Sequence, residues 1–152
     1  MEISIRPYTE AFHDAFRDIN TSWLNEYGLL ESHDIAVLEN PGTMIIDKGG
    51  AIFLAMENDT VVGTAAIVKE GEDCVELVKM TVIPAFRGRG ISRLLIDRCI
   101  AAAKNIGTKK IILFSNSKLT TAIGLYERYG FMHIPVTDSH FETADIKMEL
   151  SL

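Results

Sequence analysis

The sequence predicts an α/β (α+β) fold: a mixed, mostly antiparallel sheet of six to seven strands with helices on both faces. Three observations carry this expectation. The apolar periodicity switches along the chain in the order β-α-α-β-β-β-α-β-α-β-β. Three consecutive strand patterns between residues 51 and 83 are joined by turn residues, which is the signature of an antiparallel meander. Helical patterns stand before, between and after the strands, so both sheet faces can be covered.

Ile3–Arg6 alternates and ends at Pro7, which predicts a short first strand. Thr9 is placed to cap a helix running to about Leu24. Its apolar stripe is Ala11, Phe12, Ala15, Phe16, Ile19 and Trp23. A shorter helix follows Ser32 or His33 through Ile35, Val37 and Leu38. It must stop near Asn40, because Pro41 disfavours helix in the residue before it. Gly49-Gly50 breaks the chain. Strands are then expected at Ala51–Glu57, Thr60–Glu70 and Cys74–Ile83, with turns at Asn58-Asp59 and Gly71-Glu72-Asp73. Ile91–Ile106 is a strongly amphipathic helix closed by Gly107. Lys110–Ser115 reads as a short buried strand, and Thr120–Tyr129 as a helix ending at Gly130. Phe131–Ile134 and Ile146–Leu150 read as the last two strands.

The 152 residues suit one domain, expected to span 1–152, since no linker, repeat or low-complexity stretch divides them. A chain this long buries about 68–70% of its unfolded surface and needs no disulfide or metal to fold. The formal net charge of −6 argues against sequence-independent nucleic-acid binding, which needs a basic face. The N-terminus lacks a signal peptide's basic start and apolar core, and no apolar run approaches the roughly 18 residues of a membrane span. The expected compartment is the cytoplasm. Cys74 and Cys99 form no zinc or disulfide pattern and read as buried thiols. His13, His33, His133 and His140 have no metal-ligand spacing, so no metal is expected.

The most informative segment is Val82-Ile83-Pro84-Ala85-Phe86-Arg87-Gly88-Arg89-Gly90-Ile91-Ser92. A strand ends, a glycine-containing loop follows, and a long helix begins. A helix N-terminus leaves about four N–H groups unpaired and carries roughly half a positive charge. Glycines allow close approach of a ligand to the backbone. The combination is an anion site suited to phosphate or diphosphate, with Arg87 and Arg89 adding positive charge. A solvated glycine turn is the plain alternative. Walker P-loop spacing is absent. A dinucleotide fingerprint beginning at Gly88 and Gly90 would need glycine at 93, which is Arg93.

Arg87-Gly88-Arg89-Gly90-Ile91-Ser92 resembles the Arg/Gln-x-x-Gly-x-Gly/Ala signature of the GCN5-related N-acetyltransferases, the GNAT superfamily. Glu76-Leu77-Val78-Lys79-Met80-Thr81-Val82 is similar to that family's fourth strand. Ala122-Ile123-Gly124-Leu125-Tyr126-Glu127-Arg128-Tyr129-Gly130-Phe131 is similar to its late Ala-x-x-Leu-Tyr-Glu-x-x-Gly-Phe segment. Order and spacing agree across roughly residues 51–150. Ser92 departs from the signature, where the family usually has Gly or Ala. Leu119 stands where many members place a cofactor-contacting Asn seven residues before the tyrosine.

The resemblance implies a splayed cleft between the fourth and fifth strands that holds acetyl-CoA as co-substrate. The amides of Arg87, Gly88, Arg89, Gly90, Ile91 and Ser92 would hold its diphosphate. Met80, Thr81 and Val82 would pair with pantetheine through their backbone, and an N–H in that stretch would stabilise the oxyanion. Asn116 stands in for the missing Asn or caps the next helix. The implied activity is an acetyl-CoA-dependent N-acetyltransferase, acylating a primary amine by direct attack in a ternary complex. The alternative is a non-catalytic acyl-CoA-binding sensor.

Amine acylation needs a neutral amine, and a typical ammonium has a pKa of about 10, so a base is required. Glu76 is the candidate base by resemblance; a cross-strand ion pair is its structural alternative. Tyr126 matches the family's general acid toward the thiolate; packing is its alternative. Tyr129 reads as packing. Trp23, Asn25, Glu26, Tyr27, Glu31, Asp34 and residues 135–145, including Asp138, Ser139 and His140, are the candidate acceptor wall. The acceptor is a small-molecule or protein amine, and a homodimer is compatible with the resemblance.

Overall fold

The computed structural model describes residues 2–137, 139 and 141–152. Seven strands form one sheet in the order β1-β2-β3-β4-β5-β7-β6. They are β1 (Ile3–Pro7), β2 (Ala51–Glu57), β3 (Thr60–Lys69), β4 (Cys74–Val82), β5 (Lys110–Ser115), β6 (Met132–Ile134) and β7 (Ile146–Ser151). Only β4 and β5 pair in parallel; the other neighbours are antiparallel. The helices are α1 (His13–Glu26), α2 (Ser32–Glu39), α3 (Ile91–Ile106) and α4 (Thr120–Arg128). This is the mixed, mostly antiparallel sheet that the periodicity predicts.

Each face of the sheet has its own core. On one face Leu95, Ile96, Cys99 and Ala103 of α3 pack on Val75 and Leu77 of β4, Ile111 and Leu113 of β5 and Met148 of β7. Tyr126 of α4 and Phe131 join the same cluster. On the other face Phe16, Val37 and Leu38 from α1 and α2 cover Leu54, Met56 and Ala66. Each large side chain removed from water in this way contributes about 1.5–3 kcal/mol. Strand alternation sends neighbouring residues of β4 to opposite cores, so Leu77 joins the α3 face and Val78 packs on the α1 side.

Two N-terminal details differ from expectation. The segment after β1 opens with a short 3₁₀ turn, Glu10–Phe12, before α1, and the Thr9 side chain caps nothing. After Pro41 the chain winds through a wide π-helical turn, Gly42–Ile46, that plants Ile45 in the core with no exposed surface. Five residues are too few to show a period. Gly50 has a steric requirement: a Cβ there would lie 2.2 Å from the Ile67 carbonyl oxygen.

The feature that positions the site is a divergence of strands. β4 and β5 pair only at Cys74↔Lys110, Val75↔Ile111 and Glu76↔Ile112. Beyond Glu76, β4 stays with β3 as far as Val82, while β5 stays with β7 as far as Ser115. The two strands therefore open into a V with Glu76 at its apex, which is the predicted splay.

Candidate active site

A cavity of about 480 Å³ fills this V. Its walls are β4 from Glu76 to Val82, the end of β5 from Leu113 to Ser115, and α4 residues including Leu125 and Tyr126. One end opens on the N-terminus of α3 at Gly90–Arg93, and the other on Trp23, Tyr27, Asp34, Phe141 and Thr143.

The α3 end has the properties of an anion seat. Gly90 is the N-cap, in the left-handed region at φ 78°, and no side chain caps the helix. The first turn holds no carboxylate. Leu94 is the first residue whose N–H reaches back to the Gly90 carbonyl, at 3.4 Å. The N–H groups of Ile91, Ser92 and Arg93 thus have no acceptor within the helix. Gly88 also has φ 78°, and a Cβ at either glycine would point into open space. That space is what a diphosphate needs.

The loop arginines are engaged. Arg87 turns back and its Nε donates to the Val82 carbonyl at 2.9 Å, fixing the end of β4. The Arg89 guanidinium lies 5.0 Å over the Phe86 ring, and of the predicted cofactor-binding residues Arg89 alone is not on the cavity wall. Arg87, Gly88, Gly90, Ile91 and Ser92 do line it, as do Met80, Thr81 and Val82.

Asn116 also lines the cavity, but much of its side chain is committed. Its Nδ2 donates to the Thr143 carbonyl at 2.6 Å and its Oδ1 accepts from the Lys118 N–H at 3.0 Å. One amide hydrogen is left over for a ligand. It does not cap α4, whose N-cap is Leu119.

Glu76 is buried at the apex. Burial pushes its carboxyl up to about 8, with Glu70 adding a like charge and a hydrogen bond; Lys79 and Lys147 pull the other way. Two carboxyls sharing a hydrogen bond hold at least one proton between them. Tyr126 is 8% exposed, faces the cavity, and packs edge-on against Phe131 with ring centres 5.7 Å apart. Burial, with a smaller contribution from Cys99, raises its phenol far above the ordinary tyrosine range, so it stays protonated.

The other predicted residues make the following contacts. The Tyr129 hydroxyl donates to Asp97 Oδ1 at 2.7 Å and ties α4 to α3. Glu31 accepts the N–H groups of Glu142 at 2.9 Å and Thr143 at 3.0 Å, so it anchors a loop and is not simply solvated. Asp34 pairs with Lys79. Trp23 and Tyr27 meet edge-on at 6.2 Å and line the cavity, whereas Asn25 and Glu26 do not. His13 bonds the Leu38 carbonyl, His133 meets Glu127, and His33 packs on Phe141. Asp138 and His140 lie outside the described residues; Ser139 accepts from the Phe141 N–H at 2.9 Å. Cys99 is buried, but Cys74 is only half-buried, at the start of β4. Among the described residues no three His, Cys, Asp or Glu side chains cluster to hold a metal, and no helix is long and apolar enough to cross a membrane.

Sequence reasoning missed the groups that shape β4. Lys79 adopts φ 52°, and the β3–β4 register slips there: Thr64 faces Thr81 and Ala66 faces Val78, leaving Lys79 and Met80 opposite Ala65. A charged residue within the apolar run Leu77-Val78-Lys79-Met80 was the available signal.

Residues 3–131 match the acetyltransferase (GNAT) family. The chain belongs to this family. Membership makes it an acetyl-CoA-dependent acyltransferase. It is 38% identical over 116 residues to the uncharacterized N-acetyltransferase YjgM of Escherichia coli, a match covering 72% of this chain and 70% of that one. Its fold superposes on a GNAT-family acetyltransferase from Staphylococcus aureus with a TM-score of 0.92, 23% identity and 99% of both chains covered. A PaiA N-acetyltransferase from Thermoplasma acidophilum, solved in complex with coenzyme A, gives a TM-score of 0.80 at 16% identity over the full length of both chains.

Proposed function

We propose that the V-shaped cavity binds acetyl-CoA and that the chain transfers the acetyl group directly to a primary amine within a ternary complex. One observation carries this reading: a single cavity runs from the uncapped N-terminus of α3, along the unpaired edge of β4, to a carboxyl pushed up to about 8. A long ligand with an anionic middle and a thioester tip fits that sequence of surfaces.

The amides of the loop and first helical turn, from Arg87 to Ser92, hold the diphosphate. Arg87 contributes by bracing the loop against Val82, and Arg89 through its amide. Pantetheine lies along Met80–Val82, whose edge has lost β5, as an added strand would. Asn116 offers its remaining amide hydrogen. The thioester carbonyl then lies beside the β4 bulge, where a main-chain N–H meets the developing oxyanion.

The amine enters from the side of Trp23, Tyr27 and Phe141. Glu76 accepts its proton, directly or through water, and a carboxyl near 8 is matched to that task at neutral pH. The neutral amine attacks the carbonyl carbon. The nitrogen of the tetrahedral adduct gives up its second proton to solvent, from which Tyr126 is later reprotonated. The adduct collapses, and the C–S bond breaks. Tyr126 gives its proton to the departing sulfur.

A thiol-release screen of amines with acetyl-CoA tests the reading, paired with thermal denaturation. Ligand at 100 times its dissociation constant stabilises by about 2.7 kcal/mol. Acetyl-CoA that leaves the melting temperature unchanged sinks the proposal.

A further inference from the structure

Thr64 of β3 is fully buried, yet its hydroxyl oxygen carries two hydrogen bonds. Their directions can be assigned. Trp23 Nε1 lies 3.3 Å from Asn20 Oδ1, and an indole nitrogen only donates. This fixes the Asn20 amide, whose Nδ2 then donates to the Phe16 carbonyl at 2.9 Å and to Thr64 Oγ1 at 3.0 Å. The Thr64 hydroxyl therefore receives one hydrogen from Asn20 and sends its own to the Lys79 carbonyl, 2.6 Å away.

That carbonyl belongs to the bulged peptide. Lys79 is in the left-handed region at φ 52°, a conformation a non-glycine residue holds only when its surroundings enforce it. The peptide between Lys79 and Met80 is planar and trans, so its N–H points opposite to its C=O. With the carbonyl held by Thr64, the Met80 N–H is turned away from Thr64. On the far side of β4, β5 has already departed, and Met80 lines the cavity.

We infer that Thr64 is a positioning residue: by holding the Lys79 carbonyl it aims the Met80 N–H at the thioester carbonyl of the acyl donor. This rests on the proposed acetyl-CoA cleft. Thr64 touches neither substrate. It acts through one peptide plane, and Asn20 acts through Thr64 by dictating where its hydrogen goes.

The test compares wild type, Thr64→Val, Thr64→Ser and Asn20→Asp. Valine keeps the volume and removes the hydroxyl. Serine restores it. Aspartate at 20 leaves Thr64 in place but offers its hydrogen a carboxylate in competition with the Lys79 carbonyl. Each protein is saturated with carbonyl-¹³C-labelled acetyl-CoA, and the bound carbonyl stretch is read by infrared difference spectroscopy alongside affinity for acetyl-CoA and for CoA. In wild type the band lies below its free frequency. In Thr64→Val and Asn20→Asp it moves back toward that frequency, the preference for acetyl-CoA over CoA falls several-fold, and CoA affinity stays within twofold. Thr64→Ser restores the wild-type band. With an acceptor identified by the amine screen, kcat falls on the order of tenfold in Thr64→Val while KM for acetyl-CoA changes little. A shifted wild-type band that persists unchanged in the folded valine and aspartate variants overturns the inference and leaves the cleft intact. A wild-type protein that binds acetyl-CoA with an unshifted band overturns this inference alone; one that binds no acetyl-CoA overturns the cleft and this inference together.

Discussion

The ammonium of Lys79, on the β4 bulge, pairs with the carboxylate of Asp34, which lies 45 residues earlier on α2. Both side chains are buried. The other Asp34 oxygen accepts the Glu31 N–H at 2.9 Å, and the Glu31 carboxylate accepts the N–H groups of Glu142 and Thr143. The Phe141 ring lies 5.6 Å from the same ammonium. α2, the bulge and the loop before β7 are thus one connected wall of the cavity.

Removing one member of a buried ion pair leaves the other uncompensated. Lys79→Ala is expected to destabilise the fold by about 3–5 kcal/mol. The double variant Lys79→Met/Asp34→Leu removes both charges at similar volume and loses less than Lys79→Ala alone. Urea denaturation of wild type, Lys79→Ala and the double variant checks this. A double variant as unstable as Lys79→Ala contradicts it.

Glu76 sets a pH dependence with a definite sign. Its carboxyl is raised from the ordinary 4.5 to about 8, so between those values the folded protein binds more protons than the unfolded chain. Stability tied to Glu76 is full below about 4.5 and is lost as pH rises toward 8, on the order of 5 kcal/mol in total. Glu76→Gln imitates the protonated form and removes this slope. The difference in unfolding free energy between wild type and Glu76→Gln, measured from pH 4.5 to 9, should widen with pH in favour of the glutamine variant. The rate has the opposite sense if Glu76 is the base, because a base works as carboxylate. Wild-type turnover rises through about pH 8, and Glu76→Gln loses that limb.

What could be read from the sequence follows from the range of the forces involved. α3 falls at Ile91–Ile106 as its period requires, and the strands agree to within a residue or two because alternation and turn residues are local signals. The uncapped start of α3 was legible for the same reason: strand end, glycines and helix start lie within one short stretch. The bulge was not legible. Lys79 holds its backbone through Thr64, Asn20 and Asp34, which come from β3, α1 and α2 and meet only in the folded chain. Nor was the Arg87 side chain, which reads as free charge in the loop but is spent on the Val82 carbonyl. The turn at Gly42–Ile46 is held by burial of Ile45 and has no period to detect.

Gly90 tests the anion seat. Alanine there must adopt φ near 78°, at a cost of about 1–2 kcal/mol, although its Cβ meets no protein atom within 4 Å. The empty space is the expected position of the diphosphate. Gly90→Ala should therefore lower stability modestly and weaken CoA binding tenfold or more. Calorimetric titration with CoA and with pantetheine separates the two effects. Pantetheine lacks the diphosphate, so its affinity should change far less.

Tyr126 gives the decisive test of catalysis. Its ring is packed against Phe131 and its phenol is held protonated by burial. Phenylalanine keeps the ring and its packing, so the melting temperature should move little. CoA binding, which the proposed reading assigns to amides of the α3 loop and to β4, should also be unchanged. The thiolate then leaves without its proton donor. Turnover of Tyr126→Phe should fall on the order of 10²-fold, the usual contribution of a positioned acid. The loss should shrink when the sulfur is replaced by a leaving group that needs no proton, so an activated acetyl thioester of low thiol pKa should be turned over at nearly the wild-type rate. An equal loss with both donors would assign Tyr126 to packing and leave the acid role to water or another group.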